Sequence, residues 1–335
     1  MSVEVINGNC RDVLSWFPSE HFDCVVTSPP YWGLRDYGVD GQLGLEATMQ
    51  EYIATMVDVF RDVRRVLKSH GTFWLNIGDT YASSWACNRR NVIGSGSLES
   101  GKRADRPNRL SGGLKEKDLC MIPNRLAIAL QDDGWFVRSE IIWHKPNPMP
   151  ESVRDRPTNA HEKVWMLTKS DKYFFDREAA KEPGVVPAGT KGAKGGKERF
   201  ETPGVNARPP EYKIYDGKRN MRNVWQIQTR PFKGAHFATM PVDLAERCIS
   251  VGCPQGGLVL DPFGGAGTTG VAAINSNRRA VLIELNADYV ALATERLGNV
   301  VRDRRAVEQR AHSTRGNALG KRRDRVLRAD DGCRL

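Results

Sequence analysis

The sequence predicts an α/β fold: a mostly parallel, twisted sheet with helices on both faces. Three observations carry this. Strand, helix and strand patterns alternate along the N-terminal third, as they do where each strand returns parallel to the last. Near the C-terminus a buried run from Gly257 to Asp261 leads into the turn Pro262-Phe263-Gly264-Gly265-Ala266-Gly267 and a helical start at Thr268. Glycines there let a ligand approach the backbone, and the helix start offers free N–H groups. The strand that follows ends in Glu284, where a dinucleotide-binding fold places the acid that holds ribose hydroxyls.

In chain order, Val3 to Ile6 reads as a strand and Cys10 to Phe17 as a helix with Val13, Leu14 and Phe17 on one face. Phe22 to Thr27 is an apolar strand that runs into Ser28-Pro29-Pro30-Tyr31-Trp32. Gly33 to Gly38 is a glycine-bounded polar loop, either mobile over a site or plain surface. Thr48 and Glu51 form a capping box for a helix reaching Leu67, with Met49, Tyr52, Met56, Phe60 and Val63 at helical spacing. Gly71 to Gly78 is a strand, Pro123 to Leu130 a helix, and Trp135 to Trp143 a strand ending in His144-Lys145-Pro146. Lys163 to Thr168 is expected to form a hairpin with Tyr173-Phe174-Phe175. Asn223 to Ile227 is a short strand, Pro241 the first residue of a helix to Val251, and Ala280 to Ile283 a strand.

The 335 residues suffice for one large α/β domain with insertions. A formal charge of +10 points to a polyanionic partner. The seven cysteines are scattered without a Cys-x-x-Cys pair, which excludes a zinc framework and reads as reduced thiols. With no signal-like start and no apolar run of membrane-spanning length, the protein is expected in the cytoplasm. Two internal stretches lose their periodicity. Residues 83–117 form a basic loop in which Arg89 and Arg90 suit phosphate contacts, or a solvated linker. Residues 179–220, with Lys194, Lys197, Tyr212 and Tyr215, suit backbone and base contacts as a target-recognition segment, or serve as a flexible linker. The arginine-rich tail, 301–335, is expected to lack a fixed fold.

The turn after Thr27 carries the chemistry. Each proline fixes its own φ, removes an N–H and extends the residue before it. The Pro29 carbonyl and the Ser28 oxygen can then accept from a planar group bearing an NH2, stacked on Tyr31 or Trp32.

Ser28-Pro29-Pro30-Tyr31 is similar to the catalytic motif of the DNA methyltransferases that modify exocyclic amines of cytosine or adenine. Asp261-Pro262-Phe263 with Gly265, Gly267, Thr268 and Thr269 resembles their S-adenosylmethionine site. With the catalytic motif first and the cofactor motif last, the order resembles the circularly permuted β class over Val3 to Leu297. The resemblance implies a Rossmann-like S-adenosylmethionine-dependent methyltransferase fold, circularly permuted, over residues 1–300, with a catalytic half 1–178 and a cofactor half 221–300. It implies catalytic roles for Ser28, Pro29, Pro30 and Tyr31. Asn9, Thr27, His236, Phe237, Asp261, Pro262, Phe263, Gly265, Gly267, Thr268, Thr269 and Glu284 become cofactor residues. Trp32, Arg35, Arg89, Arg90, Lys194 and Lys197 become contacts to double-stranded DNA. A homodimer and a cognate restriction endonuclease are further candidate partners, in a bacterial or phage-encoded setting.

Ser28 favours cytosine N4 over adenine N6. Methyl transfer to RNA or a protein amide, and noncatalytic DNA binding, are the alternatives. Nicotinamide enzymes share the glycine turn and ribose acid, but the proline-locked acceptors have no role in hydride transfer. Carbon-5 cytosine chemistry would need a Pro-Cys nucleophile, and the chain has no Pro-Cys pair.

Overall fold

The computed structural model describes residues 2–82, 110, 113–193, 212–229 and 240–304. The elements are β1 (Val3–Asn7), α1 (Cys10–Ser15), β2 (Phe22–Thr27), α2 (Met49–Val66), β3 (Leu67–Ile77), α3 (Ile122–Asp132), β4 (Phe136–His144) and β5 (His161–Thr168). Then come β6 (Lys181–Pro183), β7 (Lys191–Ala193), β8 (Tyr212–Ile214), β9 (Lys218–Asn220), β10 (Val224–Gln226), α4 (Val242–Gly252), β11 (Leu258–Asp261), α5 (Thr268–Asn275) and β12 (Arg279–Glu284). A further helix, α6, is described over 287–304.

Eight strands form one sheet in the order β1-β12-β11-β2-β3-β5-β4-β10. From β1 to β3 every neighbour is parallel. β5 runs antiparallel between β3 and β4, and β10 is parallel to β4. The order reverses at β2 and β11: β2 leads through α2 to β3 on one side, and β11 leads through α5 to β12 on the other. Such a switch point opens a crevice at the carboxyl ends of the strands.

β2 is buried along its whole length, which is why its sequence is an apolar run rather than an alternation. Val25 faces a core shared with Phe60, Phe73 and Leu75, while Cys24 and Val26 face the opposite core with Leu244, Ile249 and Ala272. Phe22 lies in the same core as Val25, and the pairing is irregular between Phe22 and Cys24, where two residues of β2 stand against five of β3. Residues of α1, α2 and α3 pack in the first core, and those of α4, α5 and α6 in the second.

Four expectations change. β5 does not pair with Tyr173-Phe174-Phe175; both its edges are taken by β3 and β4. Phe174 instead donates its N–H to the His70 carbonyl at the start of β3 (2.8 Å). Pro241 is the N-cap of α4, with an extended backbone at φ −62°, ψ 144°, and helical geometry begins one residue later. The segment 179–220 is not wholly irregular. β6 pairs with β9 and β7 with β8, both antiparallel, as a short nested ribbon, while Lys194 and Lys197 lie outside the described residues. In the tail, 301–304 continue α6, and residues 305–335 lie outside the described residues. At the basic loop, Tyr81 bridges Leu119, and Ala82 and Asp118 hydrogen-bond at 2.7 Å, closing its two ends; Arg89 and Arg90 lie outside the described residues.

Candidate active site and cofactor cleft

Leu260 lies opposite Val25 in the parallel pair of β11 and β2, so Ser28-Pro29 and Pro262-Phe263 leave the sheet side by side. A cavity of about 330 Å³ opens there. Its two ends differ in chemistry.

At the end beside the glycine turn, Asp261 is a buried clasp. Its Oδ1 accepts from Thr27 Oγ1 (2.5 Å) and the Phe263 N–H (3.0 Å), and its Oδ2 from Thr269 Oγ1 (2.6 Å). Burial pushes its carboxyl up to about 6. Glu284, at the end of β12, accepts the Gly265 N–H on Oε2 and the Asn286 N–H on Oε1, each at 2.8 Å. Burial raises its carboxyl above the ordinary value. These bonds fix both oxygens and leave each a second lone pair. Gly265 and Gly267 sit in the left-handed region, φ 50° and 80°, where a side chain is strained. Asn9 caps α1, its Oδ1 accepting the Arg11 N–H (3.0 Å), and it lines the cavity.

The loop after the proline turn is closed by Gly33 N–H to the Gly44 carbonyl (2.7 Å). It walls this end with Arg35, Tyr37 and Gln42, and Tyr37 meets Tyr289 edge to face, with centroids 6.3 Å apart. Acidic and amide acceptors at strand ends, two aromatic rings, apolar Phe263 and Ile283, and a glycine turn that brings backbone close suit a nucleoside-bearing ligand such as S-adenosylmethionine.

At the other end, polar side chains gather around the proline turn. Tyr31 Oη donates to Glu162 Oε2 (2.7 Å), and Ser28 Oγ donates to Tyr31 Oη (3.3 Å). Asn76 Nδ2 reaches Tyr31 Oη (2.8 Å), Glu162 Oε2 (3.0 Å) and Ser28 Oγ (3.4 Å). Lys145 Nζ pairs with Glu162 Oε1 and lies over the Trp143 ring, 4.5 Å from its centroid. The Pro30 carbonyl accepts the Tyr52 hydroxyl (2.9 Å). Gly78 leaves room for Tyr31, because a Cβ there would lie 2.7 Å from Tyr31 Cε2.

The cavity brings together Asn9, Ser28, Pro29, Pro30, Tyr31, Arg35, Asp261, Pro262, Phe263, Gly265, Thr268, Thr269 and Glu284. Two expectations are corrected. Trp32 is 1% exposed, with its indole N–H on the Glu46 carbonyl (2.9 Å), so it is a core residue and presents no face to DNA. Thr27 is fully buried beneath the cavity and acts on it through Asp261. Gly267 is the N-cap of α5, between the lining residues Ala266 and Thr268. His236 and Phe237 lie outside the described residues. Sequence reasoning missed Asn76 and Glu162 as site residues and placed Lys145 only at a strand end. Glu162 had no legible signal: it stands at the start of β5, and only the antiparallel direction of that strand carries it to the edge where the parallel strands end.

Among relatives of known kind, the type II methyltransferase M.SmaI of Serratia marcescens is 46% identical over 296 residues, covering 88% of this chain and 91% of that protein. The fold resembles that of the PvuII DNA methyltransferase (cytosine-N4-specific), with a TM-score of 0.58 at 20% identity over 90% of this chain and 91% of that one. It also resembles TTHA0409 of Thermus thermophilus in complex with S-adenosyl-L-methionine, with a TM-score of 0.56 at 25% identity over 89% and 94%. A family model described as DNA methylase, covering N6 and N4 methyltransferases, matches residues 22–295, and the chain belongs to that family as a site-specific, S-adenosylmethionine-dependent DNA methyltransferase.

Proposed function

We propose that this enzyme methylates N4 of cytosine, turned out of duplex DNA into the proline-turn end of the cavity, and that it does so as a circularly permuted, β-class member of its family. The observation that carries the target assignment is the acceptor pair at positions 28 and 29, a serine hydroxyl and a proline carbonyl beside an aromatic ring. Bound S-adenosylmethionine supplies an electrophilic methyl group on a sulfonium. The exocyclic amine is a poor nucleophile while its lone pair is delocalised into the ring. Ser28 Oγ and the Pro29 carbonyl accept its hydrogens and let the nitrogen become more tetrahedral. The Tyr52 hydroxyl occupies the neighbouring Pro30 carbonyl, so the turn offers Pro29. Tyr31 gives the base a platform once it has left the stack.

Asn9, Glu284 and the glycine turn from Pro262 to Thr269 hold the cofactor in this reading, with Asp261 and Thr27 fixing the turn from below. The chain order, β2 with the acceptor turn before β11 with the glycine turn, supports permutation and the division into a catalytic half, 1–178, and a cofactor half, 221–300. The basic ribbon of 179–220 serves target recognition. The type II name of the relatives supports a restriction-modification setting, with a cognate endonuclease and a homodimer as partners.

Expression in a methylation-free bacterial host, followed by genome sequencing that distinguishes N4-methylcytosine from N6-methyladenine, tests the reading. N4-methylcytosine at one short motif is the expected result. N6-methyladenine would move the assignment to the adenine amine.

A further inference from the structure

The groups behind the proline turn form a hydrogen-bond chain with one direction. The Ser28 hydroxyl donates to Tyr31 Oη, and the Tyr31 hydroxyl donates to Glu162 Oε2. Each hydroxyl has a single hydrogen, so both are spent toward Glu162 and only lone pairs remain on Ser28 Oγ. Asn76 Nδ2 takes at most one of them, at 3.4 Å, which leaves the other for an incoming N–H. An ionised carboxylate fixes this direction because it accepts and cannot donate. Lys145 on one oxygen and Asn76 on the other are both donors, so both carboxylate oxygens act as acceptors. Burial and the neighbouring Glu162 hold the Tyr31 phenol well above its ordinary value, so Tyr31 keeps the hydrogen it donates.

We propose that Glu162 is a positioning residue for methyl transfer: acting through Tyr31, it turns the Ser28 hydroxyl away from the target amine and presents the oxygen's lone pair to it. Without the carboxylate, the Tyr31 hydrogen is free to turn to Ser28 Oγ. The Ser28 hydrogen then faces the amine, where an acceptor is needed. The inference rests on the reading of Ser28 as the amine's acceptor.

The test compares full-length wild type with E162Q, Y31F, S28A and the doubles E162Q/S28A and E162Q/Y31F. The readouts are single-turnover methyl transfer to duplex DNA, S-adenosylmethionine affinity and thermal melting. E162Q is expected to slow transfer by about ten- to a hundredfold with cofactor affinity held within about twofold. Y31F should match it. Adding E162Q to S28A or to Y31F should slow transfer by no more than about twofold, because the effect of Glu162 passes through those residues. Undiminished transfer in E162Q, full additivity with Y31F, or cofactor affinity and melting that fall in step with the rate would each overturn the proposal. A wild type that methylates DNA with S28A equally fast would overturn the acceptor reading and this inference together. Slow S28A with fast E162Q would overturn this inference alone.

Discussion

The two ends of the cavity satisfy their carboxylates in different ways. At the cofactor end the partners are mostly local: Asp261 bonds Phe263 two residues on and Thr269 eight residues on, and Glu284 bonds Asn286 two residues on and Gly265 nineteen residues back. At the acceptor end the partners come from afar. Glu162 is 131 residues from Tyr31 and 86 from Asn76, and Asn76 is 48 from Ser28. The first arrangement is a turn that carries its own supports, largely backbone N–H groups. The second is a set of side chains that exists only once β2, β3, β4 and β5 have assembled. Thr27 on Asp261, across 234 residues, ties the two ends, beside Thr269 on the Val26 carbonyl across 243.

Breaking that tie should have the largest effect. Asp261→Ala leaves the Thr27 hydroxyl and the Phe263 N–H without their acceptor in a buried site and the Thr269 hydroxyl with only the Val26 carbonyl at 3.3 Å, a loss of about 3–5 kcal/mol in urea unfolding. Asp261→Asn keeps the Thr27 and Phe263 bonds on Oδ1 and reverses the third, its Nδ2 donating to Thr269 Oγ1 while that hydroxyl turns to the Val26 carbonyl, and so separates shape from charge. Burial pushes the Asp261 carboxyl from an ordinary 3.8 to about 6 in the folded chain, so folding favours its protonated form. That stabilisation is full below about pH 4 and is lost as pH rises through about 6. The stability of wild type minus that of Asp261→Asn should therefore fall from pH 4 to pH 7. A difference that stays flat would show that the hydrogen bonds offset burial.

Gly78→Ala disturbs only the acceptor end. Its Cβ would stand 2.7 Å from Tyr31 Cε2 and 3.4 Å from Glu162 Cδ. Overpacking of this kind destabilises by about 1–3 kcal/mol, and displacing Tyr31 should reduce methyl transfer well beyond what that loss explains, with cofactor affinity unchanged. Equal falls in both would mean that the two ends move as one body. Trp32→Phe should then be milder, about 1 kcal/mol for the lost bond to the Glu46 carbonyl. DNA affinity and its salt dependence should stay at wild-type values, since Trp32 is core.

The same contrast explains what the sequence made legible. The glycine turn and Glu284 were readable because their physics is local: a strand, residues at positive φ, a helix start and an acid at the next strand end. Ser28-Pro29-Pro30-Tyr31 was readable because prolines constrain their own neighbours. Glu162 was not, because β5 looks like any apolar strand and nothing in it states its direction. The expected hairpin with Tyr173-Phe174-Phe175 failed for the same reason: a local turn signal competes with long-range pairing on both edges of β5, which satisfies more backbone groups. The burial of Trp32 was not legible because it directly follows Tyr31 in the chain, whereas the turn leaves Tyr31 on the cavity and sends Trp32 into the core.

Asn9 gives the smallest effect and the finest division within the cofactor end. Its Oδ1 holds the Arg11 N–H as the N-cap of α1, and the residue also lines the cavity. Asn9→Ala should lose about 0.5–1 kcal/mol of stability from the cap and should also weaken S-adenosylmethionine binding. Asn9→Asp restores the cap, and its carboxylate remains an acceptor for an adenine amine, so it should recover both. Calorimetric titration alongside melting separates the two outcomes. Stability recovered without affinity would show that Asn9 serves only the helix and that the adenine is held by other groups lining the cavity. Recovery of both would place one amide oxygen in two roles, capping a helix with one lone pair and reading a ligand with the other.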